Sequence, residues 1–117
     1  MNHLHTKLTE QTGIRVPVIC GPMFPCSNPE LVAAVSEAGG LGMIQPMSLT
    51  SIHKYEFRAG LRHIKSLTDK PVGMNLLLEH AFKKYQIRMD EWIGIAIEEG
   101  VSFFLTALGN PAPVVRR

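Results

Sequence analysis

The sequence predicts an α/β fold of parallel βα repeats, and three observations lead to that prediction. Short apolar runs alternate along the chain with stretches of helical periodicity. The apolar runs show little polar alternation, which is typical of parallel strands covered on both faces. They begin near Val16, Leu41, Val72 and Val101, at spacings of 25, 31 and 29 residues. Each spacing has room for a strand, a crossover helix and two loops.

The first repeat is predicted to contain a strand, a loop and a helix in that order. Val16–Cys20 forms the strand, and the loop Gly21–Cys26 follows it. The helix has two candidate caps, because Ser27 has capping-box spacing to Glu30 and Asn28 directly precedes a proline. A pair of glycines ends the helix, since glycine accepts the left-handed conformation found just after many helices.

The other repeats are predicted in the same order, each strand being followed by a helix. Glycine, proline and asparagine mark the turns between them. The predicted elements are strands at Leu41–Ile44, Val72–Leu77 and Val101–Thr106, helices at Ile52–Leu67 and Met89–Glu99, a longer connection with room for a short helix at Leu78–Arg88, and the opening of a helix at Pro113–Val115.

Two architectures fit this order of elements, an open doubly wound sheet and the first half of a closed (β/α)8 barrel. Eight repeats of this spacing would need about 230–250 residues, the usual length of such a barrel. About a turn and a half of helix follows the last strand, where a complete domain is expected to end in a whole covering helix. The sequence therefore favours the N-terminal half of a barrel, with residues 1–117 as a single partial domain.

Charge, apolar runs and cysteines exclude several classes of function. A net charge of +2 at pH 7 is too small to indicate a nucleic-acid or membrane-surface partner. No apolar run reaches the roughly 18 residues of a membrane span, and the polar residues 1–10 contain no signal-peptide core. Cys20 and Cys26 form no disulfide framework and have no partners at zinc-ligand spacing. A cytoplasmic protein without a metal site is expected.

The candidate site residues lie at the ends of predicted strands. Gly21, Pro22 and Met23 directly follow the first strand, at the end where α/β proteins bind ligands. A permissive glycine, a stiff proline and a polarizable methionine suit a flat aromatic ligand, although an ordinary tight loop has the same composition. Asn75 lies inside the apolar third strand, where a buried amide needs partners. It either points into a site or bonds to neighbouring backbone.

The remaining polar motifs predict structure rather than chemistry. The glycines of Gly39–Gly42 end a helix and enter a strand, which is the reverse of a phosphate-binding loop. The five histidines are dispersed, with His53 and His80 near loops after strands, and they form no catalytic or metal-ligand set. A solvated helix face is predicted for Arg58, Arg62 and Lys65, with His63 on the same side.

Taken together, these segments resemble the N-terminal part of the nitronate monooxygenase family, formerly called 2-nitropropane dioxygenases. The resemblance extends over nearly the whole chain in the family's order and spacing. Each motif alone is common, whereas the ordered set is specific. The matching segments are Gly13–Ile19, Gly21–Met23, Asn28–Val35, Ala38–Gly42, Leu67–Leu76 and Thr106–Pro111.

The resemblance implies an FMN-binding TIM barrel that oxidises alkyl nitronates with O₂ to a carbonyl compound and nitrite. It implies that Gly21–Met23 lie against the flavin ring, and it matches Asn75 to a family asparagine that contacts FMN. The family's catalytic histidine and phosphate-binding loops lie beyond Arg117, so no catalytic residue is assigned. The loop Phe24–Cys26 is bulkier than the small, glycine-containing loop of the family.

Three other functions stay open. Flavin-dependent enoyl-ACP reductases share these N-terminal signals, so an enoyl-thioester reductase is one alternative. A non-catalytic barrel fragment is another, because four parallel strands leave two edges unpaired and an apolar inner face exposed. Such a fragment is expected to self-associate through the open barrel edge and to bind FMN weakly. A flavodoxin-like module would need a reversal of the strand order and a Ser/Thr-rich loop after the first strand.

Overall fold

The computed structural model describes residues 4–78 and 83–117. Its strands are β1 (Ile19–Cys20), β2 (Leu41–Ile44), β3 (Val72–Leu77) and β4 (Phe103–Ala107). They are all parallel and form one sheet in the order β1-β2-β3-β4. A doubly wound sheet reverses its strand order, whereas the wall of a barrel does not. The order therefore confirms the predicted half-barrel and excludes the open-sheet and flavodoxin-like alternatives.

The helices alternate with the strands and cover one face of the sheet. The three longest of these helices pack against the strands or against each other. Within residues 4–78 and 83–117, no helix has both the length and the apolar composition needed to cross a membrane. The helices are α1 (Lys7–Thr12), α2 (Pro29–Glu37), a π-helix (Ser48–Ile52), α3 (Phe57–Leu67), α4 (Lys83–Glu98) and α5 (Ala112–Val115).

The outer face of the sheet, which meets the helices, carries the main hydrophobic core. Ile44, Met74 and Leu76 point outward from β2 and β3 and are fully buried. Removing this apolar surface from water is the chief favourable contribution to folding. The helical residues of this core are Val32, Phe57, Leu61, Ile64, Met89, Trp92, Ile93 and Ala96.

Helix α2 lies very close to β2, and Gly42 makes this approach feasible. A Cβ atom at this position would overlap the carbonyl oxygen of Val32. Ser36 completes the contact, since its hydroxyl accepts from the N–H of Gly42 at 3.1 Å and donates to the carbonyl of Pro71 at 2.8 Å. One buried hydroxyl thus joins α2 to β2 and to the start of β3. Gly42 thus has a structural role in helix–strand packing, as the sequence predicts for the glycines of Gly39–Gly42.

The inner face of the sheet is closed toward the amino ends of the strands. Leu41 and Met43 are buried there, and Ile14 from the segment before β1 packs against them. Farther along β4, Leu105 shares this face and is 36% exposed. The inner face therefore opens toward the carboxyl ends of the strands.

The first strand is shorter than predicted, since it starts at Ile19 rather than at Val16. The N–H groups of Arg15 and Val16 both donate to the carbonyl of Gly39, at 2.9 and 3.0 Å. Residues 15 and 16 are therefore bonded to the segment after α2, and the bonds to the neighbouring strand begin at Val18, whose carbonyl accepts from the Leu41 N–H at 2.9 Å.

The second predicted helix, Ile52–Leu67, starts too early. Lys54 has a φ of 63°, a left-handed conformation that ends the π-helix segment before α3 can begin. Helix α3 is capped by Glu56, whose carboxylate accepts from the N–H groups of Arg58 and Ala59 at 3.1 and 2.8 Å. These hydrogen bonds hold the pKa of Glu56 below its ordinary value.

Two more helices differ from the prediction. Helix α4 already begins at Lys83, so the second half of the predicted connection is helical. Helix α1 lies in a terminus that the sequence indicates only as polar. Its start is a reciprocal pair, in which the Thr6 hydroxyl accepts from the Thr9 N–H and the Thr9 hydroxyl accepts from the Thr6 N–H. This pair lacks the Glu or Gln of the usual capping box.

Candidate functional site

The predicted site residues come to the same end of the sheet. The register pairs Cys20 with Gly42 and Gly42 with Val72. The loop that holds Met23 begins directly after Cys20, and Asn75 lies three residues beyond Val72 on β3. The loop after β1 and the polar residue of β3 therefore both lie toward the carboxyl ends of the strands, on either side of β2.

The loop after β1 presents an open surface. Gly21 is exposed, and a Cβ atom added there would meet no other atom within 4 Å. Pro22 is half-buried, while Met23 is 43% exposed and Phe24 is more exposed still. A flat ligand could approach this backbone without steric conflict.

Asn75 lies on the inner face and is only 6% exposed. Its face follows from Gly73, where an added Cβ would meet the Met43 sulfur and the Phe103 ring, because residues two apart share a face of a strand. Within residues 4–78 and 83–117, its amide has no hydrogen-bond partner, and no fully buried polar side-chain atom lacks one. The amide must therefore reach the open end of the inner face rather than bond to neighbouring backbone.

Two serines hold the backbone of Met23. The Ser27 hydroxyl accepts from the Met23 N–H at 2.8 Å, and the Ser27 N–H donates to the Met23 carbonyl at 2.8 Å. The Ser48 hydroxyl donates to that carbonyl at 3.4 Å. Gln45, the residue directly after β2, accepts from the Ser48 N–H through Oε1 at 2.6 Å. We call Gln45, Ser27 and Ser48 the anchor residues of the loop.

The anchor residues are missed in the prediction, which considers Ser27 only as a helix cap. Asn28 caps α2 instead, because its Oδ1 accepts from the Leu31 N–H at 2.8 Å. Gln45 carries the same signal as Asn75, a polar side chain near the carboxyl end of an apolar strand. Ser48 has no comparable signal, since its role depends on how the π-helix folds back toward β1.

The described histidines lie outside the inner face. His53 Nε2 lies 3.1 Å from the carbonyl oxygen of Pro25. His63 is partly exposed, stacks on Tyr55 and lies 3.4 Å from Glu30 Oε1, two contacts that the prediction of a solvated ring did not include. A backbone hydrogen bond and then the hydrogen bond with His63 hold the pKa of Glu30 below its ordinary value. The other histidine considered near a site, at position 80, lies outside the described residues.

The basic stripe on α3 is exposed at Arg62 and Lys65, as predicted, and it also forms ion pairs that the prediction did not include. Arg58 donates to Glu98 at 2.6 Å and to Glu99 at 2.7 Å, and Arg62 contacts Glu99 at 3.2 Å. Lys65 Nζ lies 4.0 Å from Glu99. The hydrogen bonds from Arg58, and then from Arg62, hold the pKa of the buried Glu99 below its ordinary value. The stripe joins α3 to the end of α4.

A cavity of about 490 Å³ lies at the amino ends of the strands, opposite the predicted site. It is lined by turn and strand-start residues such as Thr68, Pro71 and Val101. In parallel α/β barrels this end contributes to stability, whereas ligands bind at the carboxyl ends. Among the described residues, no group of three or more His, Cys, Asp or Glu side chains could hold a metal ion.

Comparison with known proteins places the chain among flavin enzymes. The sequence pattern of the family described as "Nitronate monooxygenase" matches residues 5–115. The nitronate monooxygenase of Pseudomonas aeruginosa is 38% identical over 87 residues, which cover 74% of this chain and 24% of that protein. A (3aS,4S,5R,7aS)-5-hydroxy-7a-methyl-1-oxo-octahydro-1H-indene-4-carboxyl-CoA dehydrogenase of Mycobacterium tuberculosis is 32% identical over 114 residues, covering 97% and 30%.

Solved structures agree in fold. FabK from Thermotoga maritima superposes with a TM-score of 0.75 at 31% identity, covering 96% of this chain and 33% of that chain. Nitroalkane oxidase from Streptomyces ansochromogenes has a TM-score of 0.71 at 20% identity, covering 95% and 39%. The second likeness concerns the fold alone.

Four parallel strands in chain order, matched to a portion of these structures, form part of a TIM barrel, and the homology is to a family of flavoprotein oxidoreductases. The chain belongs to the nitronate monooxygenase family, which is FMN-dependent. It spans about a quarter of the length of the Pseudomonas aeruginosa relative and about a third of the FabK chain.

Proposed function

We propose that this chain forms the flavin-ring side of an FMN site in a nitronate monooxygenase. The whole protein would oxidise alkyl nitronates with O₂ to a carbonyl compound and nitrite. Residues 1–117 are then a single partial domain of that enzyme, and the catalytic base lies beyond Arg117. A cytoplasmic location stays a prediction.

The Asn75 amide is the observation that carries this proposal. Asn75 is 6% exposed and has no partner among the described residues, where no fully buried side-chain nitrogen or oxygen lacks one, so its polar atoms face open space. An amide offers both a donor and an acceptor, which match the alternating N–H and carbonyl groups at the polar end of a flavin ring. A bound flavin would therefore supply the partners that the amide lacks among the described residues.

The loop after β1 fits the same ligand. The open space beside Gly21 admits a ring close to the backbone. Pro22 stiffens the loop, and the exposed Met23 side chain offers a polarizable apolar surface. In this proposal these three residues support the ring and Asn75 bonds to its polar edge. When bound, FMN supplies the electron transfer between the nitronate and O₂.

A second candidate is the reduction of an enoyl thioester, the alternative that the sequence raises. One comparison supports it, because the Mycobacterium tuberculosis relative is named for a carboxyl-CoA substrate, which is a thioester. Both candidates use the same flavin site, so the residues described here serve either activity.

The proposal is tested with the full-length product of the reading frame that encodes this chain. We expect a flavin absorption spectrum after purification, nitronate-dependent O₂ consumption, and FMN binding at least tenfold weaker in Asn75→Leu. Gln11→Leu, which changes an exposed amide on α1, serves as the matched control and should bind FMN as the wild type does. NAD(P)H oxidation with an enoyl thioester, without nitronate oxidation, would favour the second candidate. Absence of bound flavin together with absence of both activities would contradict both.

A further inference from the structure

Two buried serines bond to one residue of an otherwise exposed loop, and a buried glutamine bonds to one of these serines. The anchor residues Gln45, Ser27 and Ser48 are 5%, 4% and 0% exposed. They come from the end of β2, the segment before α2 and the π-helix. Ser27 and Ser48 bond to Met23 directly, and Gln45 acts on Met23 through Ser48. Burying such groups is unfavourable unless their hydrogen bonds are made. Their burial therefore favours the one loop conformation in which these bonds exist.

The hydrogen bonds leave Met23 with no free backbone group. Its N–H donates to the Ser27 hydroxyl, and its carbonyl accepts from the Ser27 N–H and from the Ser48 hydroxyl. The backbone of Met23 is thus fully used within the protein, while the residue as a whole stays 43% exposed. The part of Met23 that can meet a ligand is its side chain.

Gln45 relates this loop to the sheet. It follows directly on β2, which pairs with β1 on one side and β3 on the other. By accepting from the Ser48 N–H at 2.6 Å, it sets the position of the hydroxyl that bonds to Met23. The last residue pair between β2 and β3 is Ile44 with Met74, and Asn75 follows Met74 on β3. Gln45 therefore lies between the two parts of the proposed flavin site.

We propose that Gln45, Ser27 and Ser48 are positioning residues, which hold the Met23 backbone so that the Met23 side chain and Asn75 both contact one flavin ring. This inference rests on the proposed function and adds residues that do not themselves touch the cofactor. A site held in place before the ligand arrives loses less conformational freedom on binding.

The test compares Ser48→Ala with Ser48→Thr in the full-length product. We expect Ser48→Ala to weaken FMN binding about fivefold, as for one lost hydrogen bond, to shift the flavin absorption spectrum, and to speed hydrogen exchange at residues 23–27. Ser48→Thr keeps the hydroxyl and should restore all three. Ser66→Ala is the matched control, because that serine is exposed on α3 and bonds to the His63 carbonyl.

The outcomes separate this inference from the proposed function. FMN binding, spectrum and exchange all unchanged in Ser48→Ala would overturn the positioning role while leaving the flavin site intact. Absence of FMN binding by the wild type would overturn both. If Ser48→Ala does not fold, Ser27→Ala removes the acceptor of the Met23 N–H and is expected to give the same three changes. Wild-type behaviour in that variant would also contradict the proposal.

Discussion

The two faces of the sheet differ in how completely their side chains are buried. On the outer face, Met74 and Leu76 are fully buried in the core that the sheet forms with the helices. On the inner face, Met43 is buried near the amino ends, but Asn75 has no partner among the described residues and Leu105 is 36% exposed. The outer face stabilises the chain by itself. The inner face is suited to contacts with something else, such as a cofactor or further protein.

The largest expected effect is the loss of a large side chain from the outer face. Trp92 is buried, with its ring centroid 5.4 Å from that of Phe57. We expect Trp92→Ala to lower the free energy of unfolding by about 3–5 kcal/mol, and Leu105→Ala on the inner face by less than about 1 kcal/mol. Urea denaturation of the 117-residue chain measures both. Similar losses for the two variants would show that the faces do not differ.

Asn75 should affect binding far more than stability. Among the described residues no fully buried polar side-chain atom lacks a partner, so Asn75→Leu relieves no burial penalty and is expected to change the free energy of unfolding by less than about 1 kcal/mol while weakening FMN binding. Denaturation without FMN gives the first quantity, and fluorescence titration of FMN gives the second. A larger loss of stability without FMN would mean that the amide is bonded within the protein.

Self-association of the 117-residue chain would follow from the open inner face. Among the described strands, β1 and β4 each have one unpaired edge, and such edges pair readily with other chains. We expect the chain to sediment as a dimer or larger species. Leu105→Lys should weaken this association about tenfold. Ile97→Lys changes an exposed apolar residue of α4 and should leave the mass unchanged; an equal effect there would argue against the inner face.

The smallest expected effect concerns Glu99 and is pH-dependent. Hydrogen bonds from Arg58 and Arg62 hold the pKa of Glu99 below its ordinary value, so its ionised form stabilises the folded chain. That stabilisation is complete above the ordinary glutamate pKa of about 4.3 and is lost as pH falls through the lower, folded value. Glu99→Gln should therefore lower the urea midpoint at pH 7, with the difference from the wild type vanishing in acid. A pH-independent difference would contradict the ion-pair explanation.

Glu98→Gln is the matched comparison for that prediction. Glu98 also pairs with Arg58, but its side chain is 64% exposed, and solvent screening makes exposed pairs weak. We expect a smaller change in the urea midpoint than for Glu99→Gln.

Local signals in the sequence were sufficient for most of the fold. The apolar run of β3 and the glycine after α4 predict their elements well, because burial and helix termination depend on neighbouring residues. The start of α3 could not be predicted in this way. The break at Lys54 follows the π-helix, and this segment contacts the loop after β1 through Ser48 and His53. Such contacts between distant residues leave no periodic pattern in the sequence.

In the candidate site, too, local signals identify some residues, whereas contacts between distant segments identify others. Gly21, Pro22, Met23 and Asn75 stand out in the sequence by residue type and by position after or within a strand, and their role toward FMN stays a prediction. The partners of these residues do not stand out. Ser48 reaches Met23 from 25 positions away, and Glu99 reaches Arg58 from 41 positions away.

The sequence alone determined the order of strands and helices, the parallel half-barrel and the resemblance to the nitronate monooxygenase family. These properties follow from hydrophobic periodicity and turn chemistry, which act between residues close along the chain. The tertiary structure decided which polar groups are bonded and which remain free. In the tertiary structure, Ser27 and Ser48 bond to Met23, and Glu99 pairs with the basic residues of α3. The Asn75 amide has no partner among the described residues. Hydrogen bonds between distant segments depend on how helices pack on the sheet, and no local pattern encodes that packing.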